Sequence, residues 1–354
     1  MPRRPLHLPR PSDRAAATSP TEDLSVKPLL CIRELLEQFN VVPATVYQCA
    51  GIDHRTLANP ENRLSFTMVG RWLEECIAAT GVDHFGLLVG QRAGHQAVGV
   101  VAELFEFAPT VRAALRALIT HFHLHDRGAV LVLHQCSADE VELAYVIHHR
   151  GTAGTAQIAD GALAIATDIM RSMCGHAWVP ARVTLAHRRP KNIAPYRSFF
   201  KTRLEFDAAR SALYFPTTLL DRPLPGADVR AEARIRTLIN EIEATESSSM
   251  TMRVRRALNV LLVAGVPSFD RVACVFELSR RTLRRRLADE GTSFTELLDE
   301  LRYERAQQLL EQTRMPIEEI AATLQFSKPG AFSRAYKAWT GVTPRSSRTI
   351  AARQ

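Results

Sequence analysis

The stretch VACVFELSRRTLRRRL, residues 272–287, decides the fold of the C-terminal region, because the chain carries its pattern twice. The second copy is IAATLQFSKPGAFSRAY, residues 320–336. In both copies, apolar residues lie three and five positions after the alanine, Ala273 or Ala321. Further along, both copies have an apolar residue, an Arg two positions later and another apolar residue four positions later; the second copy has one extra residue before this series. A small residue where two helices cross, a polar residue that opens the second helix and apolar positions that join the pair predict a helix-turn-helix. Two such motifs in tandem predict contact with two stretches of DNA.

The positive charge of the chain is concentrated on the region that holds the two motifs. The net charge is +8 over 354 residues. Residues 250–354 hold 18 Lys and Arg against 11 Asp and Glu, while the rest of the chain holds 27 against 26. Many runs of charge are simply a basic surface in contact with water. A surplus of positive charge on recognition helices can, however, neutralise the phosphates of DNA. The distribution therefore favours DNA as a partner.

The composition is typical of a folded protein with two or three domains. Its apolar content of 46% is enough to fill ordinary cores, and no segment approaches the ~18 uninterrupted apolar residues of a membrane helix. The six cysteines include no CxxC pair, which gives no sign of a redox site. The N-terminus is rich in Pro, Arg and Ser and has no apolar stretch of signal-peptide length. These features predict a disordered tail over residues 1–27 and a cytoplasmic location.

The chain divides into an α+β domain over residues 28–225, a helix and linker over 226–250, and an all-α domain over 251–350. The predicted helices of the first domain are 29–39, 66–79, 110–125 and 155–173, and its predicted strands are 129–134, 141–147, 182–187 and 213–215. A charged helix over 228–244 and a polar run over 246–249 follow. The predicted helices of the last domain are 252–264, 268–275, 279–289, 293–312, 317–324 and 328–339.

The predicted helix 293–312 joins the two motifs. Its apolar positions, which predict one buried face, are Phe294, Leu297, Leu298, Leu301, Ala306, Leu309 and Leu310. Such a helix is a rigid spacer of about 30 Å, close to one turn of B-DNA at ~34 Å. Both recognition helices could then enter successive major grooves on one face of the duplex.

The C-terminal hundred residues resemble the AraC/XylS family of transcriptional regulators. The residues that carry the resemblance run from Val272 to Leu287, through Gly291-Thr-Ser-Phe294, Leu301-Arg302 and Ile320-Ala321, and from Phe326 to Pro344. So many landmarks in a fixed order are a far more specific signal than a single helix-turn-helix. The resemblance implies a regulator that binds asymmetric promoter half-sites on double-stranded DNA. It also implies the family's usual mode, which is activation by recruiting RNA polymerase.

Residues 28–225 look like the sensor domain of one branch of that family, often labelled arabinose-binding-like. The stretches that carry this likeness include Gly51-Ile52, Asn62-Arg63-Leu64, Phe85-Gly86-Leu87, Val98-Gly99-Val100 and Phe206-Asp207. The resemblance implies a domain that binds a small-molecule effector and associates with a second copy. An effector can change transcription only if it has different affinities for two arrangements of the domains. We expect helix 228–244 and the linker to couple effector binding to the DNA-binding domain. An effector-independent DNA-binding protein remains the alternative.

The resemblance also implies which residues face the bases. These are Arg281, Arg284 and Arg285 in the first motif and Lys328, Gly330 and Arg334 in the second, with Arg280 added to the DNA-binding set. Arg284 and Arg285 lie opposite the apolar side of their predicted helix, where an Arg fork can bind guanine O6 and N7, worth ~1–3 kcal/mol of discrimination. Contact with phosphates alone is the alternative. Because Pro329-Gly330 offers little side chain, we expect the second motif to recognise shape and backbone.

Two departures from the family pattern affect the turns and the end of the domain. Glu277 and Gln325 stand where the family usually has a glycine with positive φ, at a cost of about 1 kcal/mol each. Ser347 stands where an aromatic ring usually anchors the last helix. We therefore expect both turns to carry strain and the last helix to be loosely held.

Other residue clusters are weighed against simpler explanations. His121 and His125 lie four apart on the predicted helix 110–125, with His123, His134 and His148-His149 nearby. This spacing can bind a metal, but histidines at a helix C-terminus are also favoured by its dipole, so both explanations stay open.

No nucleophile elbow or phosphate-binding glycine loop occurs, and we expect no catalytic residue, metal or cofactor. Six further side chains are expected in the core, with some of them lining an effector cavity: Phe66, Met68, Trp72, Phe85, Phe105 and Phe107.

Overall fold

The structure, a computed structural model, describes residues 23–147, 153–208, 210–245, 249–263, 267–276, 278–312 and 316–351. The predictions that concern residues 1–22, His148, His149, Glu277 and linker residues 246–248 lie outside these ranges. The chain divides between residues 246 and 247 into two compact units, which are described separately. None of the helices in the described ranges is long and apolar enough to cross a membrane.

The N-terminal unit combines helices and strands, which confirms the predicted α+β class. Its helices are α1 (Ile32–Gln38), α2 (Pro43–Ala50), α3 (Phe66–Thr80), α4 (Phe85–Ala93), α5 (Val100–Glu106), α6 (Val111–His121), α7 (Thr155–Cys174), α8 (Ala194–Phe200) and α9 (Val229–Thr245). Its strands are β1 (Asp23–Ser25), β2 (Arg63–Ser65), β3 (Ala129–Gln135), β4 (Glu140–Ile147), β5 (Arg182–Thr184), β6 (Arg203–Glu205) and β7 (Ser211–Pro216). Thr110 caps α6 as predicted, because its hydroxyl accepts the N–H of Ala113 at 3.2 Å.

The main sheet has the strand order β3-β4-β7-β5-β6 and is antiparallel except for the pair β5–β6. The predicted hairpin is confirmed, with Ala129 opposite Ile147 and Gln135 opposite Val141. The sequence did not predict β6, because three residues are too few to show an alternating pattern. The sheet packs on α7, which carries the centre of the core.

The tail predicted over residues 1–27 extends too far, since residues 23–25 already form strand β1. Strand β1 pairs antiparallel with β2, with Leu24 opposite Leu64. Leu24 and Val26 are both buried. Composition could not reveal this strand, because its partner lies about forty residues away in the sequence.

Helices α4 and α7 pack with their backbones in direct contact. A Cβ atom on Gly90 would lie 2.2 Å from the carbonyl oxygen of Gly161, and one on Gly86 would lie 2.1 Å from that of Gln157. The Gln157 side chain also joins the two elements, since its Oε1 accepts the N–H of Gly86 at 2.8 Å and its Nε2 donates to the carbonyl of Asp83 at 2.9 Å. Only glycine allows this separation between the helices.

A buried carboxylate on α7 holds the segment that follows β5. Asp160 is fully buried, and its two oxygens lie 2.9 Å from His187 Nε2 and 2.6 Å from the hydroxyl of Tyr196. Burial alone would lower the pKa of His187, but the hydrogen bond and the negative charge of Asp160 outweigh it and raise the pKa. The contact between His187 and Asp160 therefore favours the protonated ring in the folded state.

The C-terminal unit is all helical in its described ranges, as predicted. Its helices are α10 (Met250–Val263), α11 (Phe269–Val275), α12 (Arg280–Asp289), α13 (Phe294–Gln312), α14 (Ile317–Thr323), α15 (Pro329–Thr340) and α16 (Pro344–Ala351). The last helix, α16, is not as loosely held as expected. The hydroxyls of Tyr336 and Ser347 lie 2.8 Å apart, so a hydrogen bond replaces the usual aromatic anchor.

Helix α13 contributes to two separate cores and not to the single one that its apolar residues suggested. Leu297 and Leu301 pack with the first motif, whereas Ala306 and Leu310 pack with the second. Five residues separate Leu301 from Ala306, which turns the apolar stripe by about 140° around the helix. The single apolar face predicted for this helix is therefore two faces, one for each motif.

We expect Gly90→Ala to lower the free energy of unfolding of the N-terminal unit by about 1–3 kcal/mol, because the added methyl group forces α4 and α7 apart. Gln91→Ala, at an exposed position of the same helix, is the control and should change it by less than about 0.5 kcal/mol. Denaturant unfolding of both full-length variants measures this. Equal stabilities would contradict the glycine contact.

The ion pair of His187 predicts a pH dependence with a defined sign. Because the pKa is raised in the folded state, its stabilisation is fully present below the ordinary value of 6.5 and is lost as the pH rises through the folded-state pKa. The difference in unfolding temperature between wild type and His187→Gln should therefore shrink as the pH rises from about 5.5 to about 8.5. The exposed His176 provides the control variant His176→Gln. A difference that stays constant with pH would refute the assignment.

Candidate DNA-binding interface and effector cavity

The two helix-turn-helix motifs close their turns with equivalent backbone hydrogen bonds. The N–H of Leu278 donates to the carbonyl of Ala273 at 3.0 Å, and the N–H of Phe326 donates to the carbonyl of Ala321 at 2.9 Å. Both alanines are buried where the helices cross. In each motif, the backbone N–H of the apolar residue five positions after the alanine donates to the carbonyl of that alanine and closes the turn.

The turn of the second motif has the strained conformation that the sequence indicates. Gln325 has a φ of 59°, in the left-handed region that favours glycine. Arg302 on α13 holds this turn, because its Nε donates to the carbonyl of Leu324 at 3.0 Å and its Nη2 donates to that of Gln325 at 2.9 Å. Its guanidinium also lies 4.5 Å from the ring centre of Phe326. Sequence reasoning missed this role, although an Arg next to the buried Leu301 was a visible signal.

The first recognition helix, α12, presents a row of arginines to solvent. Leu283 and Leu287 bury its inner face, and the hydroxyl of Ser279 caps its start by accepting the N–H of Thr282 at 3.1 Å. The exposed side chains are Arg280, Arg281, Arg284, Arg285 and Arg286. In the described part of the chain, Arg281 and Arg285 have no acidic partner. They lie one helical turn apart on the same face.

The arginines of α12 are not equivalent. Arg280 lies 3.1 Å from the carboxylate of Asp270 on α11. The guanidinium groups of Arg280 and Arg284 lie 5.7 and 5.8 Å from the ring centre of Phe269, within the range of a cation–π contact. The charge of Arg280 is therefore partly compensated within the protein.

The second recognition helix, α15, begins one residue after Lys328 and buries Phe332 and Tyr336. Lys328, Gly330 and Arg334 are all exposed, and Gly330 lies one turn before Arg334. A Cβ atom on Gly330 would meet only the end of the Arg334 side chain, at 3.7 Å. Packing within the protein therefore does not require a glycine at this position.

The N-terminal unit contains a cavity of about 60 Å³ between α3, α4, α6, α7 and the sheet. Its lining includes Val69 and Leu73 of α3, Leu118 of α6 and Leu131 of β3. The aromatic and Met residues suggested for an effector site are not among its lining residues. Phe66, Trp72, Phe85 and Phe105 are fully buried in the core, and Met68 and Phe107 are half-buried.

One wall of the cavity contains a buried carboxylate that the sequence did not single out. Oδ1 of Asp126 accepts the N–H groups of Gly128 and Ala129 at 2.8 and 3.0 Å, and Oδ2 accepts the hydroxyl of Tyr145 at 2.6 Å. Burial raises the pKa of Asp126 to about 6, although the three hydrogen bonds oppose this rise. An Asp two residues before a Gly, at the start of a strand, is a turn signal that could have identified it.

The histidine cluster does not have the geometry that the sequence suggested. Helix α6 ends at His121, and Phe122–Leu124 form a 3-10 turn. The carbonyl of His125 accepts the N–H of Ser25 from β1 at 2.9 Å, so it does not continue the helix. His121 and His125 are both buried. In the described ranges, no group of three or more His, Cys, Asp or Glu side chains could hold a metal ion.

Two family models match the chain along most of its length. Residues 41–224 match the model described as the arabinose-binding domain of AraC transcription regulator, N-term. Residues 272–349 match a model described as a helix-turn-helix domain. The two matches fall within the N-terminal and C-terminal units, respectively.

Individual regulators are similar over nearly the whole chain. The Ornithine utilization regulator of Pseudomonas aeruginosa is 26% identical over 315 residues, which cover 88% of this chain and 92% of that protein. The HTH-type transcriptional regulator VirS of Mycobacterium tuberculosis is 27% identical over 316 residues, with coverages of 88% and 89%. The crystal structure of the transcriptional regulator CdpR from Pseudomonas aeruginosa is 26% identical, covers 75% of this chain and 86% of its own, and superposes with a TM-score of 0.40.

These matches are to transcriptional regulators and not to enzymes. The family models match residues in both units, and each of the two motifs has an exposed second helix. The chain belongs to the AraC family of DNA-binding helix-turn-helix transcriptional regulators.

Proposed function

We propose that this regulator binds promoter half-sites through α12 and α15 and changes transcription when a small-molecule effector occupies the cavity of the N-terminal unit. Family membership supports two further parts of the proposal: self-association of two copies through the N-terminal unit, and activation by recruiting RNA polymerase. Because the protein must reach DNA to act, we expect it to work in the cytoplasm.

The exposed arginines of α12 are the observation that carries the proposal. We assign base contacts to Arg281 and Arg285, because they project from the face opposite the buried Leu283 and Leu287, and to Arg284, which is exposed at the edge of that face. Arg280 contacts only a phosphate in this proposal, since Asp270 already compensates part of its charge. The result is one arginine-rich helix that both discriminates between bases and neutralises the backbone.

The second motif contacts DNA mainly through the backbone in this proposal. Gly330 occupies the position equivalent to Arg281, and Arg334 the position equivalent to Arg285, when the motifs are aligned by their helix starts. The open space at Gly330 allows a phosphate to approach the first turn of α15 closely. Lys328 lies at the start of the same turn and can pair with that phosphate.

The position of α9 supports effector control over the effector-independent alternative. Leu118 of α6 lines the cavity, and the neighbouring Ala117 packs against Ile239 of α9 together with Leu104 of α5. Only one helix therefore separates the cavity from the element that leads into the linker. An effector that shifts α6 therefore changes the packing of α9 through the direct contact between the two helices.

We expect Arg285→Ala to reduce the discrimination between a selected site and random DNA by about 5- to 150-fold, because it removes a bidentate base contact worth about 1–3 kcal/mol. Electrophoretic shifts of the full chain at fixed salt, on a site selected from a random library, measure this ratio. Arg286→Ala removes the same charge from the same helix and should weaken both affinities alike.

Arg302→Ala is the structural control for the same measurement. It should lower the unfolding temperature, because two carbonyls of the second turn lose their donor, yet leave the discrimination ratio of the folded protein unchanged. A ratio that is unchanged in Arg285→Ala would refute the assignment of α12 as the base-reading helix.

Gly330→Ala separates packing from DNA contact in the second motif. The free protein should become slightly more stable, by up to about 1 kcal/mol, because alanine is the better helix former and no atom obstructs its methyl group. Its DNA affinity should fall, since the methyl group blocks the approach of the phosphate. Thermal unfolding and electrophoretic shifts of the same preparation test both, and undiminished affinity would contradict the close approach.

A further inference from the structure

We propose that the cavity of the N-terminal unit binds a small uncharged molecule with an apolar body and one hydroxyl group, which donates a hydrogen bond to Nδ1 of His125. This inference rests on the proposed function, because it names the class of effector that this cavity accepts. It excludes cations, anions and amino-acid zwitterions as direct occupants of the cavity.

The polar side chains around the cavity are already satisfied, with one exception. Both oxygens of Asp126 accept hydrogen bonds, and one of them is occupied by the hydroxyl of Tyr145. The amide of Gln157 uses both of its ends at the start of α4. Among the cavity-lining side chains of the described residues, only Nδ1 of His125 is buried without a hydrogen-bond partner.

His125 is an acceptor in this wall. Its side chain is buried, with 6% of the residue exposed, and its ring bonds to the backbone of Ala97. Burial, reinforced by the positive charge of Arg63, lowers the pKa of His125 to about 3, so the ring is neutral at neutral pH. Because Nδ1 has no partner, the bond to Ala97 is made by Nε2–H, and Nδ1 keeps its lone pair. An unpaired buried acceptor is costly, and a donor on a ligand relieves that cost.

The charges around the cavity do not suit an ionised ligand. The positive charges of Arg63 and Lys27 act on His125 from outside the lining and disfavour a cation at Nδ1. The lining carboxylate of Asp126 does not offset them, because its oxygens already accept three hydrogen bonds. Both are already paired, Arg63 with Asp23 and Lys27 with Glu61. No Lys or Arg is part of the lining, so a carboxylate would be buried without a counter-ion. An uncharged ligand avoids both penalties.

The size of the cavity sets the size of the ligand. A cavity of about 60 Å³ is larger than the ~10–15 Å³ that one buried water needs and smaller than the ~150 Å³ cavity that binds benzene, so it selects a small ligand. The remaining lining is formed by aliphatic side chains and by the backbone where Gly86, Gly90 and Gly161 bring α4 and α7 together. An alkyl chain with a terminal hydroxyl fits both the volume and the single acceptor.

Ligand-observed NMR titrations of the full chain with 1-butanol, methyl propyl ether and butylammonium test this proposal. The alcohol and the ether contain the same atoms, but only the alcohol donates a hydrogen bond. We expect 1-butanol to bind at least about fivefold more tightly than the ether, and butylammonium not to bind. His125→Leu should abolish the difference between alcohol and ether. Ala166→Leu, which fills the cavity, should abolish the binding of both.

Equal binding of alcohol and ether by the wild type, binding of butylammonium, or undiminished binding by Ala166→Leu would each overturn the proposal. Electrophoretic shifts of the same preparations without any probe give an independent readout of DNA binding. If the titrations fail while DNA binding persists, only the ligand class is wrong. If DNA binding is absent while the alcohol binds as expected, the proposed function fails and the ligand class stands.

Discussion

The C-terminal unit depends on a single helix that serves two hydrophobic cores. Helix α13 places Leu297 and Leu301 in the first core and Ala306 and Leu310 in the second, on opposite sides of the helix. Because the same helix is part of both cores, the separation and rotation of the two motifs follow from helix geometry. A helix of this length, about 28 Å, suits contacts one turn of DNA apart. The placement of the two motifs relative to each other rests on this constraint.

Local patterns in the sequence predicted most of this unit, whereas contacts between distant residues escaped prediction. Ala273 and Ala321 with their apolar followers predicted both turns, and the shared hydrogen bonds confirm them. The positive φ of Gln325 was expected from the missing glycine. The contact that supports this turn was not expected, because Arg302 lies more than twenty residues before the two carbonyls, of Leu324 and Gln325, to which it donates. The anchor at Ser347 likewise depends on a tyrosine of another helix.

In the N-terminal unit, too, local sequence patterns predicted individual elements, whereas features that depend on contacts between distant residues were not predicted. The hairpin and the long helix α7 were predicted from alternation and helical spacing, but β1, β6 and the cavity were not. The cavity gathers residues from Leu24 to Ile169, and its shape follows from glycines that let two helix backbones touch. Aromatic content directed attention to Trp72 and Phe85, which fill the core instead. The unpaired nitrogen of His125 could be recognised only once burial and partners were known.

The account is tested most directly by hydroxyl-radical footprinting of the full chain on a selected DNA site. Two recognition helices fixed on one rigid spacer predict two protected segments about ten base pairs apart, centred on the same face of the duplex. The arginine-rich α12 predicts that the segment under the first motif is the more strongly base-specific. A single protected segment, or two on opposite faces of the duplex, would contradict the claim that α13 sets the geometry of DNA recognition.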